Sequence, residues 1–145
     1  MNGEHGRTIK IYTDGGARGN PGPSACAFVV YEEYPSTGSG LPASIMRAKR
    51  GKYLGIGTNN EAEYQGIIEA LMATSETEVN FFLDSLLVVN QLNGLWKVKE
   101  AKLRDLVLKI RGLETGRVVS YTHVPREQNQ MADLLVNETL DQQMV

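Results

Sequence analysis

The chain has 145 residues, 41% of them hydrophobic and 22% charged, which suits one soluble globular domain with a real hydrophobic core. Fifteen lysines and arginines stand against 17 aspartates and glutamates, a net charge of −2 that argues against a generic nucleic-acid coat while allowing a local basic groove. The single cysteine, Cys26, excludes an intramolecular disulfide, no apolar run is long enough to cross a bilayer, and no secretory leader is visible, so a cytoplasmic location is expected.

Residues 1–7, MNGEHGR, are polar and read as a flexible end, with one domain expected over 8–145. The alternation in TIKIYTD predicts a strand over 8–14. The Gly- and Pro-rich loop in TDGGARGNPGP then turns the chain back. SACAFVVYEEY and SIMRAKRGKYLG predict two further strands, a hairpin joined through PSTGSGLP. The period becomes helical in TNNEAEYQGIIEALMATSET, where Thr58 and Asn59 are candidate N-caps. EVNFFLD is almost fully apolar, as in a strand covered on both faces. Helices follow at SLLVVNQLNG, closed by Gly94, and at EAKLRDLVLKIRGL, apolar at Leu103, Leu106, Val107 and Ile110. RVVSYTHV predicts a fifth strand and NQMADLLVNETL a closing helix. The order βββαβααβα implies an α/β fold, a mixed sheet with helices on its faces.

Four acids occupy positions that a purely solvated carboxylate does not need. Asp14 follows an apolar strand and precedes a glycine pair, and Asp84 ends NFFL; ligands of open α/β sheets gather at such strand ends. At about 100° per residue, Glu63 falls beside Ile67, Ala70 and Thr74, whereas Glu61 lies further from that stripe. Asp133 shares a side with Val136, Asn137 and Leu140. If the four converge, their repulsion must be balanced by protons or by a multivalent cation. With oxygen ligands and no Cys/His cluster, that cation is Mg²⁺ or Mn²⁺ rather than zinc. Taken singly, each acid is read as easily as a turn, cap or solvated helix residue. The glycine loop lacks the Gly-Lys-Ser/Thr ending of a P-loop and runs into a strand, so a nucleotide cradle is a poor reading.

TDGGARGNPGP, TNNEAEYQGIIEAL, FFLDS and THVPREQNQMADLL, in this order, resemble ribonuclease H of type I over nearly the whole chain. The resemblance implies the ribonuclease H-like fold, a five-stranded mixed sheet with helices on both faces. It places the catalytic, metal-holding carboxylates at Asp14, Glu63, Asp84 and Asp133. The implied reaction is two-metal hydrolysis of the RNA strand of an RNA–DNA hybrid, with two Mg²⁺ (or Mn²⁺) ions and products bearing 5′-phosphate and 3′-hydroxyl ends. Asp14 would be shared between the ions, Glu63 and Asp84 would hold one, and Asp133 the other. Glu63 also stands where the family meets the RNA 2′-hydroxyl.

Gly15 and Gly16 are expected to let a nucleic-acid backbone approach, and Asn20, Thr58, Asn59 and Asn60 match substrate-touching positions, Thr58 for a DNA phosphate. His123, ten residues before Asp133, matches the family's mobile histidine. Larger bacterial members carry a basic, tryptophan-rich protrusion. Here only GLWKVKEAKLR is present, with Trp96, Lys97 and Lys99 as a reduced grip. Leu86 replaces a residue that is often polar, and Arg18 has no assigned role beyond a phosphate contact or a solvated loop position. Other readings are a nuclease of the same fold for double-stranded RNA or structured DNA, and a non-catalytic nucleic-acid-binding module. No membrane and no obligate protein partner are expected.

Overall fold

A computed structural model describes residues 6–36, 38, 40 and 43–144. Strands β1 (Thr8–Ala17), β2 (Gly22–Tyr34) and β3 (Ala43–Gly57) come first, then helix α1 (Asn59–Ala73) and strand β4 (Glu78–Leu83). Helices α2 (Leu86–Leu92) and α3 (Ala101–Leu113), strand β5 (Val118–His123), a 3-10 turn (Arg126–Gln128) and helix α4 (Gln130–Gln143) complete the order. The five strands lie as β3-β2-β1-β4-β5. β1 to β3 are antiparallel, while β4 runs parallel to β1 and β5 parallel to β4. The expected element order and mixed sheet are therefore what the structure has.

The larger core fills one face. Ile9, Ile11, Phe28 and Phe81 of the sheet meet Tyr64, Ile67 and Leu71 of α1, with Leu103 and Ile110 of α3 behind. The other face carries a smaller cluster in which α4, through Val136 and Leu140, rests on Ala25 and Ala27. β4 departs from the expectation of two covered faces. Its residues alternate between buried and half-buried, because α4 lies over β1 to β3 and leaves β4 without a helix on that side. Phe82 is sheltered there by stacking on Tyr12, ring centroids 5.1 Å apart.

The start of α1 is held by its own sequence. Thr58 is the N-cap, its Oγ1 accepting from Glu61 N–H at 3.1 Å while Glu61 accepts from Thr58 N–H at 2.9 Å. This reciprocal capping box satisfies two otherwise orphaned donors. Asn59, the other cap candidate, is instead the first helical residue; its N–H donates to Asn20 and its Oδ1 accepts from Ala17 N–H. Arg18, unassigned from sequence, forms an ion pair with Asp141 at 2.7 Å and so ties the loop to the far end of α4. Of the expected flexible end, residues 1–5 lie outside the described residues, and Arg7 pairs with Glu32 at 2.6 Å. Positions 37, 39, 41 and 42 of the PSTGSGLP turn also lie outside them.

Candidate active site

Asp14 is not at the end of its strand, as its sequence context suggested. β1 continues to Ala17 against β2, and Asp14 pairs with Ala27. What ends near Asp14 is the parallel ladder, since β1 and β4 pair only as far as Tyr12 and Phe82. The acid thus stands where the sheet opens, with Asp84 directly after β4 on the neighbouring strand. Glu63 is delivered by a close approach of helix to strand. A Cβ at Gly15 would lie 2.2 Å from the carbonyl carbon of Ala62 and 2.4 Å from Glu63 N. The absent side chain at 15 therefore admits the backbone of α1, a packing reason for glycine there that the sequence did not reveal.

The carboxylates of Asp14, Glu63 and Asp84 each offer an oxygen within 4.8 Å of the others. Asp14 is 7% and Glu63 8% exposed, so solvent does little to separate the charges. Burial, then the Asp84 charge, pushes the Asp14 carboxyl from its ordinary 3.8 up to about 8. Burial, then Asp14 and Asp84, likewise raises Glu63 well above the usual carboxylate range. Asp133 is outside the tight trio, but its charge and side-chain hydrogen bond push the Asp14 carboxyl further up. The sequence-expected four are thus brought together as a trio plus one.

These residues fit a hard divalent cation. Glu63 Oε1 is buried and has no hydrogen-bond partner in the protein, and every donor atom of the cluster is a carboxylate oxygen. Among the described residues, the ion pair at the cluster is Arg126 Nε to Asp84 Oδ2, 3.9 Å long. That arginine is 84% exposed and too solvated to neutralise the group.

A pH dependence follows. An acid whose folded pKa is raised holds its proton in the native state where the unfolded chain has released it. Stability from this source is full below about pH 4 and is lost as the pH rises through about 8. In chelator, the melting temperature should fall over this interval, and Mg²⁺ should reduce the fall by replacing the protons. Calorimetric melts at several pH values check this; a flat chelator profile contradicts it.

The remaining expected site residues are more dispersed. Gly16 packs under α4, where a Cβ would be 3.8 Å from Val136 Cγ1. Asn20, Thr58 and Asn59 have hydrogen-bonding groups engaged in holding the start of α1, and Asn60 is half-buried in its first turn. His123 is exposed at the end of β5, in register with Leu83 and so beside the Asp84 strand end. Trp96, Lys97 and Lys99 are exposed between α2 and α3, and Leu86 is exposed in the first turn of α2. Sequence reading missed Arg126 and the buried Asn129, both in the PREQN stretch. That stretch has no helical or strand period, and its one signal was a polar turn ahead of an amphipathic helix. A separate cavity of about 210 Å³ opens between the start of α4 and the sheet, walled by Tyr12, Tyr31, Asn129 and Met131. It holds none of the four acids.

A family model described as reverse transcriptase-like matches residues 13–139. The ribonuclease HI of Halobacterium salinarum is 39% identical over 142 residues, covering 95% of this chain and 67% of that protein. A bifunctional protein of Mycobacterium tuberculosis is 38% identical over 137 residues, 92% of this chain but 35% of that one. The chain thus spans about a third of the length of its mycobacterial relatives. Among solved structures, LC11-RNase H1 in complex with an RNA/DNA hybrid is 37% identical with a TM-score of 0.81, covering 95% of this chain and all of that one.

Proposed function

The chain belongs to the type 1 ribonuclease H family, and from that premise we propose that it is a metal-dependent endoribonuclease that hydrolyses the RNA strand of RNA–DNA hybrids. The observation that carries the reading is the buried, cation-poor convergence of Asp14, Glu63 and Asp84 where the parallel ladder ends. Asp14, Glu63, Asp84 and Asp133 would hold Mg²⁺, with Mn²⁺ as the alternative, and Asp14, which feels both Asp84 and Asp133, would be the ligand common to both parts of the site. When bound, the ions supply Lewis-acid stabilisation to the attacking and leaving oxygens of the phosphodiester.

The chain's own residues do the rest. Glu63 would also meet the 2′-hydroxyl that marks the RNA strand. Asn60 and the Thr58 hydroxyl face the backbone of the duplex from the start of α1, with Gly15, Gly16, Asn20 and Asn59 framing that contact. Trp96, Lys97 and Lys99 form an exposed stacking and cationic surface for the hybrid. His123 and Arg126, both exposed beside Asp84, serve proton transfer and release of the 5′-phosphate product. The upstream RNA fragment ends in a 3′-hydroxyl, and the setting is the reducing cytoplasm. LC11-RNase H1, solved on an RNA/DNA hybrid, supports this choice of substrate.

The test is a panel of end-labelled hybrid, double-stranded RNA, single-stranded RNA and duplex DNA, each with Mg²⁺ and with chelator. Cleavage of the RNA strand of the hybrid, abolished by chelator, is the expected result. An uncut hybrid, or cutting that survives chelation, overturns the reading. Preferred cutting of double-stranded RNA transfers the site to a different nuclease activity.

A further inference from the structure

Asn129 ends the 3-10 turn that leads into α4, and it is 1% exposed. Its Nδ2 donates to the carbonyl of Thr13 at 2.9 Å, one residue before Asp14. Its main-chain carbonyl accepts the N–H of Asp133 at 3.1 Å. One residue therefore grips the main chain beside one acid and the helical turn that carries another.

The position of the grip follows from the topology. Pairing of β1 with β4 stops at Tyr12, so Thr13 lies past that ladder, and the Asn129 amide supplies a donor to its carbonyl. Further ties between α4 and this part of the chain lie along the helix, at Val136 against Gly16 and at Asn137 and Asp141 with Arg18. Asp133 also meets Asp14 from the first turn of α4, and the Asn129 bond holds the main chain beneath that side-chain pair. Asn129 Oδ1 is buried without a partner, so the amide stays despite an unfavourable acceptor, and the Nδ2 contact is what it provides.

We propose that Asn129 is a positioning residue that sets the spacing between Asp14 and Asp133, and with it the affinity of the cation these two acids share. The proposal rests on the reading of the four acids as metal ligands. Groups that orient ligands from behind typically alter metal affinity by about 10- to 100-fold when removed. Asn129→Leu keeps the branched four-atom shape and removes the donor. Asn129→Ser, too short to reach Thr13, guards against a folding failure and should behave alike.

Two readouts are needed: Mn²⁺ binding by calorimetry without substrate, and the Mg²⁺ midpoint of hybrid cleavage. Each should weaken by about tenfold, while KM for the hybrid and kcat at saturating Mg²⁺ stay within about threefold of wild type. In an Asp133→Asn background, Asn129→Leu should shift neither metal constant further, since the acid it positions is gone. Unchanged metal constants in folded variants overturn the proposal. So does an equal shift in the Asp133→Asn background, or a loss of kcat that saturating Mg²⁺ does not restore. If wild type binds Mn²⁺ but does not cut the hybrid, the functional reading fails while the calorimetric arm still tests Asn129.

Discussion

Asp14→Asn lowers single-turnover cleavage of the hybrid by about 10³-fold or more, corresponding to about 4 kcal/mol of transition-state stabilisation. Asp14 lies within 4.8 Å of Glu63 and Asp84 at the ligand oxygens, and its carboxyl is also raised by a side-chain hydrogen bond with Asp133. Replacing it with an amide removes a charge at the one position shared by both halves of the site. Hybrid binding should change by less than about threefold, because the cationic and stacking surface at Trp96, Lys97 and Lys99 is untouched. The same variant should melt at a higher temperature than wild type in chelator at pH 8. There the wild-type protein either keeps a proton on Asp14 against solution pH or buries its charge beside Asp84. Higher stability with lost turnover separates a site acid from a structural one. Retained cleavage, or a drop in stability, counts against the assignment.

Gly15→Ala is expected to destabilise the fold by about 3 kcal/mol or more, near the upper end for overpacking, because the obstruction is backbone. The new Cβ would meet the Ala62 carbonyl carbon at 2.2 Å, its oxygen at 2.4 Å and Glu63 N at 2.4 Å. None of these can rotate away as a side chain would. Relief requires α1 to lift from β1, which moves Glu63 away from Asp14 in the same step. The melting temperature should fall by about 10 °C, and cleavage should fall beyond the loss of folded protein. Gly16→Ala is the control: its Cβ would make ordinary contacts at 3.8 Å and 3.9 Å, so it should remain close to wild type. Thermal melts and cleavage rates of the two variants decide the matter; equal behaviour would refute the helix-on-strand account.

Much of this organisation was legible in one dimension. Alternation in TIKIYTD marked β1, and Leu103 and Ile110 marked the buried stripe of α3. The angular position of Glu63 distinguished it from Glu61, which the structure uses in the capping box. Those signals are local: they depend on residues within a few positions of one another. Asp14 was misread as a strand end because its neighbours in sequence do not reveal that β2 outlasts β4 as its pairing partner. The β4 run was misread as doubly covered because apolar composition does not tell a helix overhead from an aromatic ring such as Tyr12.

The order and type of the elements, the inward faces of the helices and the four candidate acids are all written along the chain. Periodicity and capping act over one or two turns, and such interactions leave their pattern in the chain. The meeting of Asp14, Glu63 and Asp84 in one buried group, with Asp133 beside it, comes only from the packed fold. So do the room that Gly15 makes for α1, the reach of Arg18 to Asp141, and the bond from Asn129, at the start of α4, to Thr13. Each of these joins segments dozens of residues apart, and sheet order and helix packing, which leave no period in the sequence, set where such segments meet.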